Sequence, residues 1–175
     1  LDENALATLN KGGKVLLTLK QGSVRPEKGG SVAIGFSSIF WNTAWTGGQP
    51  PHTLGVLCNP AHPALAAFPT SYHSNWQWWD AMSHSNAVML DSVANGLEPI
   101  VRIIDDWVTN RSLGLIFECR TGGGRLIVSS IDLLEQEQAR AEAYQLLFSL
   151  KEYMRSEAFA PSQEADIRAI RSLIK

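Results

Sequence analysis

Four short apolar segments in the second half of the chain constrain its fold more than any other feature. They are residues 86–90 (NAVML), 99–105 (PIVRIID), 113–119 (LGLIFEC) and 125–131 (RLIVSSI), each bounded by turn-forming residues. Apolar segments of this length and spacing are typical of β-strands. The last two are joined by RTGGG, whose glycines can adopt the positive φ angles of a tight turn. The sequence therefore predicts that these two strands form an antiparallel hairpin.

The N-terminal residues predict a helix followed directly by another strand. Asp2 is suited to the N-cap, apolar residues follow at helical spacing, and Gly12 and Gly13 end the helix. The next segment, KVLLTL, is a near-continuous apolar run. Such a run is typical of a strand that is buried on both faces in a parallel sheet. Because a helix precedes the first strand, we also expect the sequence to be an excised piece of a longer protein.

The C-terminal part of the chain predicts a long helix and a terminal one. The long helix spans residues 132–156 and begins with Asp132 and Glu135 in an arrangement that resembles a capping box. Its apolar residues at helical spacing are Ala143, Leu146, Leu147, Leu150, Tyr153 and Met154. After Pro161 the terminal helix follows, and its apolar face consists of Ile167, Ile170, Leu173 and Ile174.

Together these elements predict a single α/β domain over residues 1–175. We expect a doubly wound, mostly parallel sheet with a late antiparallel hairpin and a long C-terminal helix. Residues 21–51 are rich in glycine and proline, and predict a long irregular segment with one short strand near residues 32–36. One helical turn is expected near residues 64–68. Loops as long as residues 21–51 are often functional or interfacial.

Charge and hydropathy argue against two classes of partner. The 17 acidic and 15 basic residues give a net charge of −2, and no segment gathers the Lys and Arg residues that bind a phosphate backbone. No apolar run approaches the ~20 residues of a membrane-spanning helix. We therefore expect no nucleic-acid partner and no membrane partner.

The segment HSNWQWWD, residues 73–80, contains three of the six tryptophans of the chain. It is interpreted as a sugar-binding platform, as a domain or subunit interface, or as core packing. On a helix Trp76 and Trp79 share a face, whereas Trp78 points elsewhere. We expect Trp76 or Trp79 to be mostly buried, and Trp78 or His73 to lie at the surface or in a cleft. The candidate residues for sugar or interface contact are His73, Asn75, Trp76, Gln77, Trp78 and Trp79, with Trp41 and Trp45 from the long irregular segment.

Catalytic and metal-binding patterns are weak throughout the sequence. Cys58 and Cys119 lie in apolar surroundings without the glycine-flanked turn of a nucleophile, so both predict buried free thiols. Asp105 and Asp106 would point to opposite faces if they continued a strand, and we expect them to cap a turn or to pair with Arg111. The four histidines lack the spacing of a metal site, so no metal or other cofactor is predicted.

Two longer segments resemble a known protein family. They are residues 62–82, HPALAAFPTSYHSNWQWWDAM, and residues 99–133, PIVRIIDDWVTNRSLGLIFECRTGGGRLIVSSIDL. Both are similar to the C-terminal part of multidomain glycoside hydrolases of family 2, the β-galactosidase type, from Bacteroidetes. The resemblance is strong over residues 54–133 and weak at the flanks. In that family this part looks like a flavodoxin-like module of the class I glutamine-amidotransferase type.

The resemblance implies a non-catalytic accessory domain of a carbohydrate-degrading enzyme. In the family the catalytic pair of glutamates lies on a separate barrel domain, so the resemblance transfers no catalytic residue to this chain. It implies other domains of the same polypeptide as partners, carbohydrate or a second copy as further partners, and a periplasmic or extracellular location. The domain would act in interdomain packing, in oligomerisation or at the rim of a sugar site.

Two alternative functions stay open at the level of sequence. The first is a stand-alone carbohydrate-binding module that uses the tryptophans as a stacking platform. The second is a small hydrolase or amidotransferase that uses Cys58, or Asp105, together with a histidine.

Overall fold

The computed structural model describes residues 1–36, 52–106, 108–135 and 139–175. The helices are α1 (Glu3–Asn10), α2 (Trp79–Ser83), α3 (Ala141–Arg155) and α4 (Ile167–Arg171). The strands are β1 (Lys14–Thr18), β2 (Val56–Cys58), β3 (Val88–Met89), β4 (Pro99–Ile103), β5 (Leu113–Thr121) and β6 (Gly124–Ser129). Short 3-10 helices lie at Pro26–Lys28, Pro63–Leu65, Trp76–Trp78 and Leu90–Ser92. No described helix is both long and apolar enough to span a bilayer.

The strands form one six-stranded sheet that is mostly antiparallel. Its order is β1-β6-β5-β4-β2, and β3 pairs with β5 away from this path. Only β1 and β6 are parallel among the described pairs, with Val15 opposite Leu126 and Leu17 opposite Val128. The prediction of a doubly wound, mostly parallel sheet is therefore wrong, and so is the flavodoxin-like fold that the family resemblance implies. The connections explain why, because parallel neighbours need a crossover of about a dozen residues or more, and β5 and β6 are joined by Gly122 and Gly123 alone.

The predicted hairpin is confirmed at these two glycines. Gly122 has φ of +59° and Gly123 has φ of +87°, so both adopt the left-handed conformation of a primed two-residue turn. Thr121 pairs with Gly124 on either side of the turn. A Cβ atom at Gly124 would lie 2.6 Å from the carbonyl oxygen of Gly13, so the absence of a side chain lets the turn approach the end of α1.

Two apolar clusters cover the two faces of the sheet. On one face α3 packs on the central strands, with Leu146 and Leu150 in the same buried cluster as Val101 and Ile127. On the other face Leu9 of α1 and Ile170 of α4 join the cluster of Phe117 and Val128. The central strand β5 is consequently buried along most of its length. The strand is apolar throughout because the sheet is covered on both faces, and such cover occurs in antiparallel as well as parallel sheets.

The N-terminal helix is confirmed with its cap, since Asp2 Oδ1 accepts a hydrogen bond of 2.8 Å from the N–H of Ala5. The strand after it is confirmed as β1, parallel to its neighbour, but the expectation of complete burial is wrong. Every residue of β1 is only half-buried. The reason is position, because β1 lies at the edge of the sheet.

The prediction of a long C-terminal helix over residues 132–156 is wrong. The helix α3 has 15 residues and begins at Ala141, and the chain ends after the five-residue α4. Asp132 caps only a local turn, since its Oδ1 accepts from the N–H groups of Leu134 and Glu135. Arg140 then has φ of −117° and ψ of 83°, which is not helical, so the helix starts after it.

The remaining predicted elements are short or absent. The turn expected near residues 64–68 is the 3-10 helix Pro63–Leu65. The strand expected near residues 32–36 is not formed. Every second side chain of this segment, namely Val32, Ile34 and Phe36, nevertheless packs against the apolar cluster that includes α3. The terminal helix shortens to α4, and the chain after it pairs with an earlier segment, through a bridge between Val24 and Ile174.

Candidate functional site

The segment HSNWQWWD forms a 3-10 turn that continues into α2. Asn75 is the N-cap of this turn, and its side-chain oxygen accepts a hydrogen bond of 3.0 Å from the N–H of Gln77. The 3-10 turn Trp76–Trp78 is followed without interruption by α2, which begins at Trp79. Because a 3-10 helix has about 3.0 residues per turn, residues i and i+3 lie on the same side. Trp76 and Trp79 therefore share one side, and Trp78 faces another.

Trp78 belongs to the core, so of the two residues expected at the surface, Trp78 or His73, only His73 lies there. Its side chain has an exposed fraction of 0 % and contacts Phe68 edge-to-face at a centroid distance of 5.2 Å. Its indole Nε1–H donates a hydrogen bond of 2.7 Å to Thr70 Oγ1, so the polar atom of the ring is satisfied in the core. Trp78 thus anchors the turn to the domain, and it is unavailable to a ligand in this conformation.

Trp76 and Trp79 lie at the surface, where they form a cluster with Phe36. Trp76 is 82 % exposed and Trp79 is 51 % exposed, so the prediction that one of them is mostly buried is wrong. Their ring centroids are 6.0 Å apart. Phe36 lies 6.1 Å from Trp76 in a stacked arrangement at 29°, and 5.5 Å from Trp79 in an edge-to-face arrangement. We call these three side chains the aromatic surface.

The polar residues of the same segment are exposed or half-buried. His73 is exposed, as one of the alternatives predicted, and its Nδ1 lies 2.9 Å from the carbonyl oxygen of Ser74. Asn75 and Gln77 are half-buried. The structure therefore brings Trp76 and Trp79 together with Phe36, and it separates Trp78 from them. Trp41 and Trp45, the other two candidates, lie outside the described residues.

Phe36 is the member of this site that the sequence did not single out. It follows Val32 and Ile34 in the segment SVAIGF, where every second side chain packs against the core. That alternation was the available signal, but it does not indicate which distant residues the segment meets. The contact depends on the path of the chain past Gly55, where an added Cβ atom would lie 3.6 Å from the carbonyl oxygen of Phe36.

An ion pair fixes the helix that carries Trp79. The carboxylate of Asp80 accepts hydrogen bonds of 2.9 and 3.0 Å from Arg140 Nε, and Arg140 Nη2 lies 2.8 Å from Asp80 Oδ2. Arg140 Nη1 also donates to the carbonyl oxygens of Asp132 and Glu135. The guanidinium is 9 % exposed, so α2 is held to the chain preceding α3 by a shielded contact. The aromatic surface thus rests on a pre-organised support.

The two cysteines lie in environments that disfavour a thiolate. Burial raises the pKa of Cys58, whose Sγ lies 3.4 Å from the carbonyl oxygen of Ser71 as a hydrogen-bond donor. Burial also raises the pKa of Cys119, to about 12, with a further contribution from the charge of Glu118. Because the thiolate is the nucleophilic form, neither residue is activated for covalent catalysis. Both are free and buried, as the sequence predicted.

Asp105 and Asp106 bind Arg111 and organise the loop after β4. The strand ends at Ile103, so both carboxylates reach the same guanidinium, with Arg111 Nη2 at 2.8 Å from Asp105 Oδ1 and 3.3 Å from Asp106 Oδ2. Burial acts to raise the pKa of Asp105, but the hydrogen bonds from Arg111 outweigh it and the pKa is lowered. Asp106 Oδ1 also accepts from the N–H groups of Val108 and Thr109. The pairing and the turn cap are both confirmed.

One further acid is held in a partly apolar setting, between β5 and α3. Burial raises the pKa of Glu118, while the hydrogen bond that Tyr153 Oη donates to Glu118 Oε2 at 2.8 Å acts in the opposite direction. Within the described residues, no three His, Cys, Asp or Glu side chains converge as metal ligands. The aromatic surface is accordingly the feature that a ligand could use most directly.

Comparison with known proteins identifies a family without assigning an activity to this site. No curated protein sequence matches the chain. The model of one protein family, described as a domain of unknown function (DUF8487), matches residues 1–175, the whole of the chain. The protein therefore belongs to the DUF8487 family.

Proposed function

We propose that this protein is a non-catalytic accessory domain of a multidomain glycoside hydrolase of the β-galactosidase type, and that its aromatic surface forms part of a sugar site. The observation that carries the proposal is the exposure of two adjacent indole rings, 82 % for Trp76 and 51 % for Trp79. Large aromatic side chains are costly to leave in water, and an exposed cluster of them marks a binding surface.

The shape and chemistry of the aromatic surface favour a sugar as its ligand. A pyranose ring has an apolar face of C–H groups and an edge of hydroxyl groups. Trp76 and Phe36 are inclined by only 29°, and the segment that carries the two tryptophans also carries His73, Asn75 and Gln77, whose side chains have polar groups. This combination of a few polar groups with aromatic side chains is typical of small-molecule sites.

The states of Cys58, Cys119 and Asp105, the candidate catalytic residues, support a non-catalytic domain. Cys58 and Cys119 are buried thiols with raised pKa values. Asp105 is occupied by a bidentate ion pair with Arg111, in which Nε and Nη2 donate at 2.8 Å. These observations give the alternative of a cysteine-dependent hydrolase or amidotransferase no support.

Isothermal titration calorimetry tests this proposal. We expect the chain to bind one or more members of a panel of galacto-, gluco-, manno- and xylo-oligosaccharides with β linkages. Trp76→Ala and Trp79→Ala should each weaken binding about 5- to 150-fold, the loss expected for a stacking contact of about 1–3 kcal/mol. Tyr144→Ala is the matched control, because Tyr144 is 53 % exposed on α3 and lies outside the aromatic surface.

Two results would overturn the sugar proposal. One is the absence of heat for every member of the panel at millimolar sugar. The other is a tryptophan variant that binds as tightly as the unaltered chain. Equal losses in Tyr144→Ala and Trp76→Ala would count against a specific surface as well.

A second candidate function, packing against a neighbouring domain of the same polypeptide, has an observation of its own. Leu57 on β2 is 41 % exposed and Ile104, directly after β4, is 37 % exposed. These strands pair with each other at the end of the sheet, so the two side chains belong to one sheet edge. Exposed apolar groups of this kind suit an interdomain contact.

Hydrogen exchange distinguishes this second candidate from the first. When the domain is joined to the rest of its polypeptide, backbone amides near Leu57 and Ile104 should exchange more slowly than in the isolated chain. Amides near Trp76 should change little without added sugar. Unchanged exchange at the β2–β4 edge would contradict an interdomain contact there.

A further inference from the structure

A cavity of about 320 Å³ opens beside the segment that leads to Phe36. Val32 and Ile34 line one side of it, and Met82 and Ser83 at the end of α2 line another. Gln21, Ser85 and Asn86 complete the polar part of the wall. Its volume lies at the lower end of the range of ligand pockets, about 300–1,000 Å³. It is therefore large enough for one small ligand unit and too small for an oligomer.

The polar wall of the cavity is fixed by hydrogen bonds within the protein. Asn86 Oδ1 accepts from the N–H of Gly22 at 2.7 Å, and Asn86 Nδ2 donates to the carbonyl oxygens of Lys20 and Ser130. Gln21 Nε2 donates to the carbonyl oxygen of Ser83 at 2.8 Å, so the side chain bridges two parts of the cavity wall. The hydroxyl of Ser85 donates to the carbonyl oxygen of Met82. The amide oxygen of Gln21 and the Oγ of Ser85 retain lone pairs that can accept hydrogen bonds from a ligand.

The lining of this cavity is neutral, and this restricts the ligand. Its walls combine amides and hydroxyls with the aliphatic groups of Val32, Ile34 and Met82, and include no ionisable side chain. Two further cavities are lined by charged groups, including Arg120 and Glu164 in one and Lys14 and Lys151 in the other. A phosphate or carboxylate ligand would find no counter-charge in the neutral cavity. An uncharged ligand with hydroxyl groups and apolar C–H faces matches it.

The cavity and the aromatic surface are formed by neighbouring residues of the same two segments. Ile34 lines the cavity and Phe36 belongs to the aromatic surface, and two residues span at most about 7 Å of chain. On the other side, Met82 lines the cavity three residues after Trp79, which corresponds to a rise of about 4.5 Å along a helix. These separations are comparable to the length of one pyranose residue in a glycan chain.

We infer that this cavity is a second sugar subsite, so that the domain binds β-linked oligosaccharides of at least two residues, one stacked on Trp76 and Trp79 and the next held in the neutral cavity. The inference rests on the proposed sugar-binding function and extends it from a monosaccharide surface to an oligosaccharide site. Gln21 and Ser85 accept hydrogen bonds from the hydroxyl groups of the second residue. Val32, Ile34 and Met82 contact its apolar face.

The test compares monosaccharides with their β-linked di- and trisaccharides by calorimetry, over the same galacto, gluco, manno and xylo panel. For the sugar that binds, we expect the disaccharide to bind about tenfold more tightly than the monosaccharide. Ser83→Phe, which fills the cavity from an exposed position, and Gln21→Ala should reduce that ratio to nearly one.

A matched control for Gln21→Ala is Gln163→Ala. Gln163 is a half-buried glutamine that also ties two segments together, since its Nε2 donates to the carbonyl oxygen of Gly96 and its Oε1 accepts from the N–H of Glu98. It lies away from the neutral cavity, so Gln163→Ala should preserve the preference for the disaccharide. Thermal unfolding of each variant verifies that it is folded at the temperature of the titration.

The outcomes separate the two proposals. If Trp76→Ala weakens binding but the disaccharide binds no more tightly than the monosaccharide, the second subsite is overturned and the sugar surface stands. The same holds if Ser83→Phe and Gln21→Ala both keep the disaccharide preference. If no sugar in the panel binds, or if Trp76→Ala has no effect, the proposed function itself is overturned.

Discussion

Trp76 is exposed and Trp78, two positions later, is buried. Replacing them should therefore have very different effects on stability. Trp78→Ala should lower the free energy of unfolding by about 3–5 kcal/mol, because it leaves a cavity against Phe68 and removes the donor to Thr70. Trp76→Ala should change it by no more than about 0.5 kcal/mol, because the ring is 82 % exposed. Urea unfolding followed by circular dichroism measures both values. A loss of similar size in the two variants would contradict the assignment of one ring to the core.

Glu118 should make the stability of the domain depend on pH. Burial raises its pKa above the ordinary value of 4.5, so the folded state binds this proton more tightly than the unfolded state. The stability from this group is present below the unfolded pKa and is lost as the pH rises through the folded pKa. Glu118→Gln keeps an acceptor for Tyr153 and removes the charge, so it should raise the melting temperature at about pH 7 and have little effect at about pH 4. A pH-independent difference would contradict this origin.

At the scale of elements, the loop between β4 and β5 depends on one arginine. Arg111→Met would leave the buried carboxylates of Asp105 and Asp106 without their partner, and should cost about 3–5 kcal/mol at neutral pH. The pKa of Asp105 is lowered, so its stabilising contribution is present above the unfolded pKa and is lost as the pH falls through the folded pKa. The difference between the unaltered chain and the variant should therefore shrink on acidification.

The matched control for the loop is the exposed pair of Arg168 and Asp166. Their side chains are 48 % exposed for Asp166 and 88 % for Arg168, so Arg168→Met should change the stability far less than Arg111→Met. Denaturant titrations at several pH values measure both variants. If Arg111→Met and Arg168→Met lost similar amounts of stability, the loop would not depend on its ion pair.

The sequence predicts the elements of this fold better than their arrangement. The hairpin over β5 and β6 follows from its glycines, and α1 follows from the cap at Asp2. The direction of the strands does not follow from their apolar pattern. A strand covered on both faces has the same continuous apolar sequence in parallel and antiparallel sheets. The lengths of the connections carry that information instead, since the nine residues between Ile103 and Leu113 are too few for a helical crossover.

For the aromatic surface, the sequence indicates most of the residues but not which of them are buried. The segment HSNWQWWD identifies the tryptophans, and the i, i+3 spacing places Trp76 beside Trp79. Which side of the turn enters the core is decided by tertiary contacts, namely the fit of Trp78 against Phe68 and Thr70. Phe36 joins the site from a distant part of the chain, which local spacing cannot indicate.

At the scale of the whole molecule, the two ends of the sheet are covered unequally. α1 and α4 cover the face above β1, β6 and β5, whereas Leu57 and Ile104 at the β2–β4 end are exposed. The aromatic surface lies near the same end, because the carbonyl oxygen of Phe36 is close to Gly55, just before β2. The domain therefore concentrates exposed apolar groups at one end of its sheet, and this end is where we expect partners or ligands to bind.

Ligand binding at this end should stabilise the whole domain, because a ligand that binds only the folded state shifts the unfolding equilibrium by RT ln(1 + [L]/Kd). At a sugar concentration ten times Kd the gain is about 1.4 kcal/mol, which corresponds to roughly 3–6 °C in Tm for a domain of this size. Differential scanning calorimetry of the unaltered chain with the tightest-binding sugar of the panel should show this shift. Tyr144→Ala should show it equally, and Trp76→Ala should show at most about half of it at the same sugar concentration. A shift of unreduced size in Trp76→Ala would mean that the sugar stabilises the domain from a surface other than the two tryptophans.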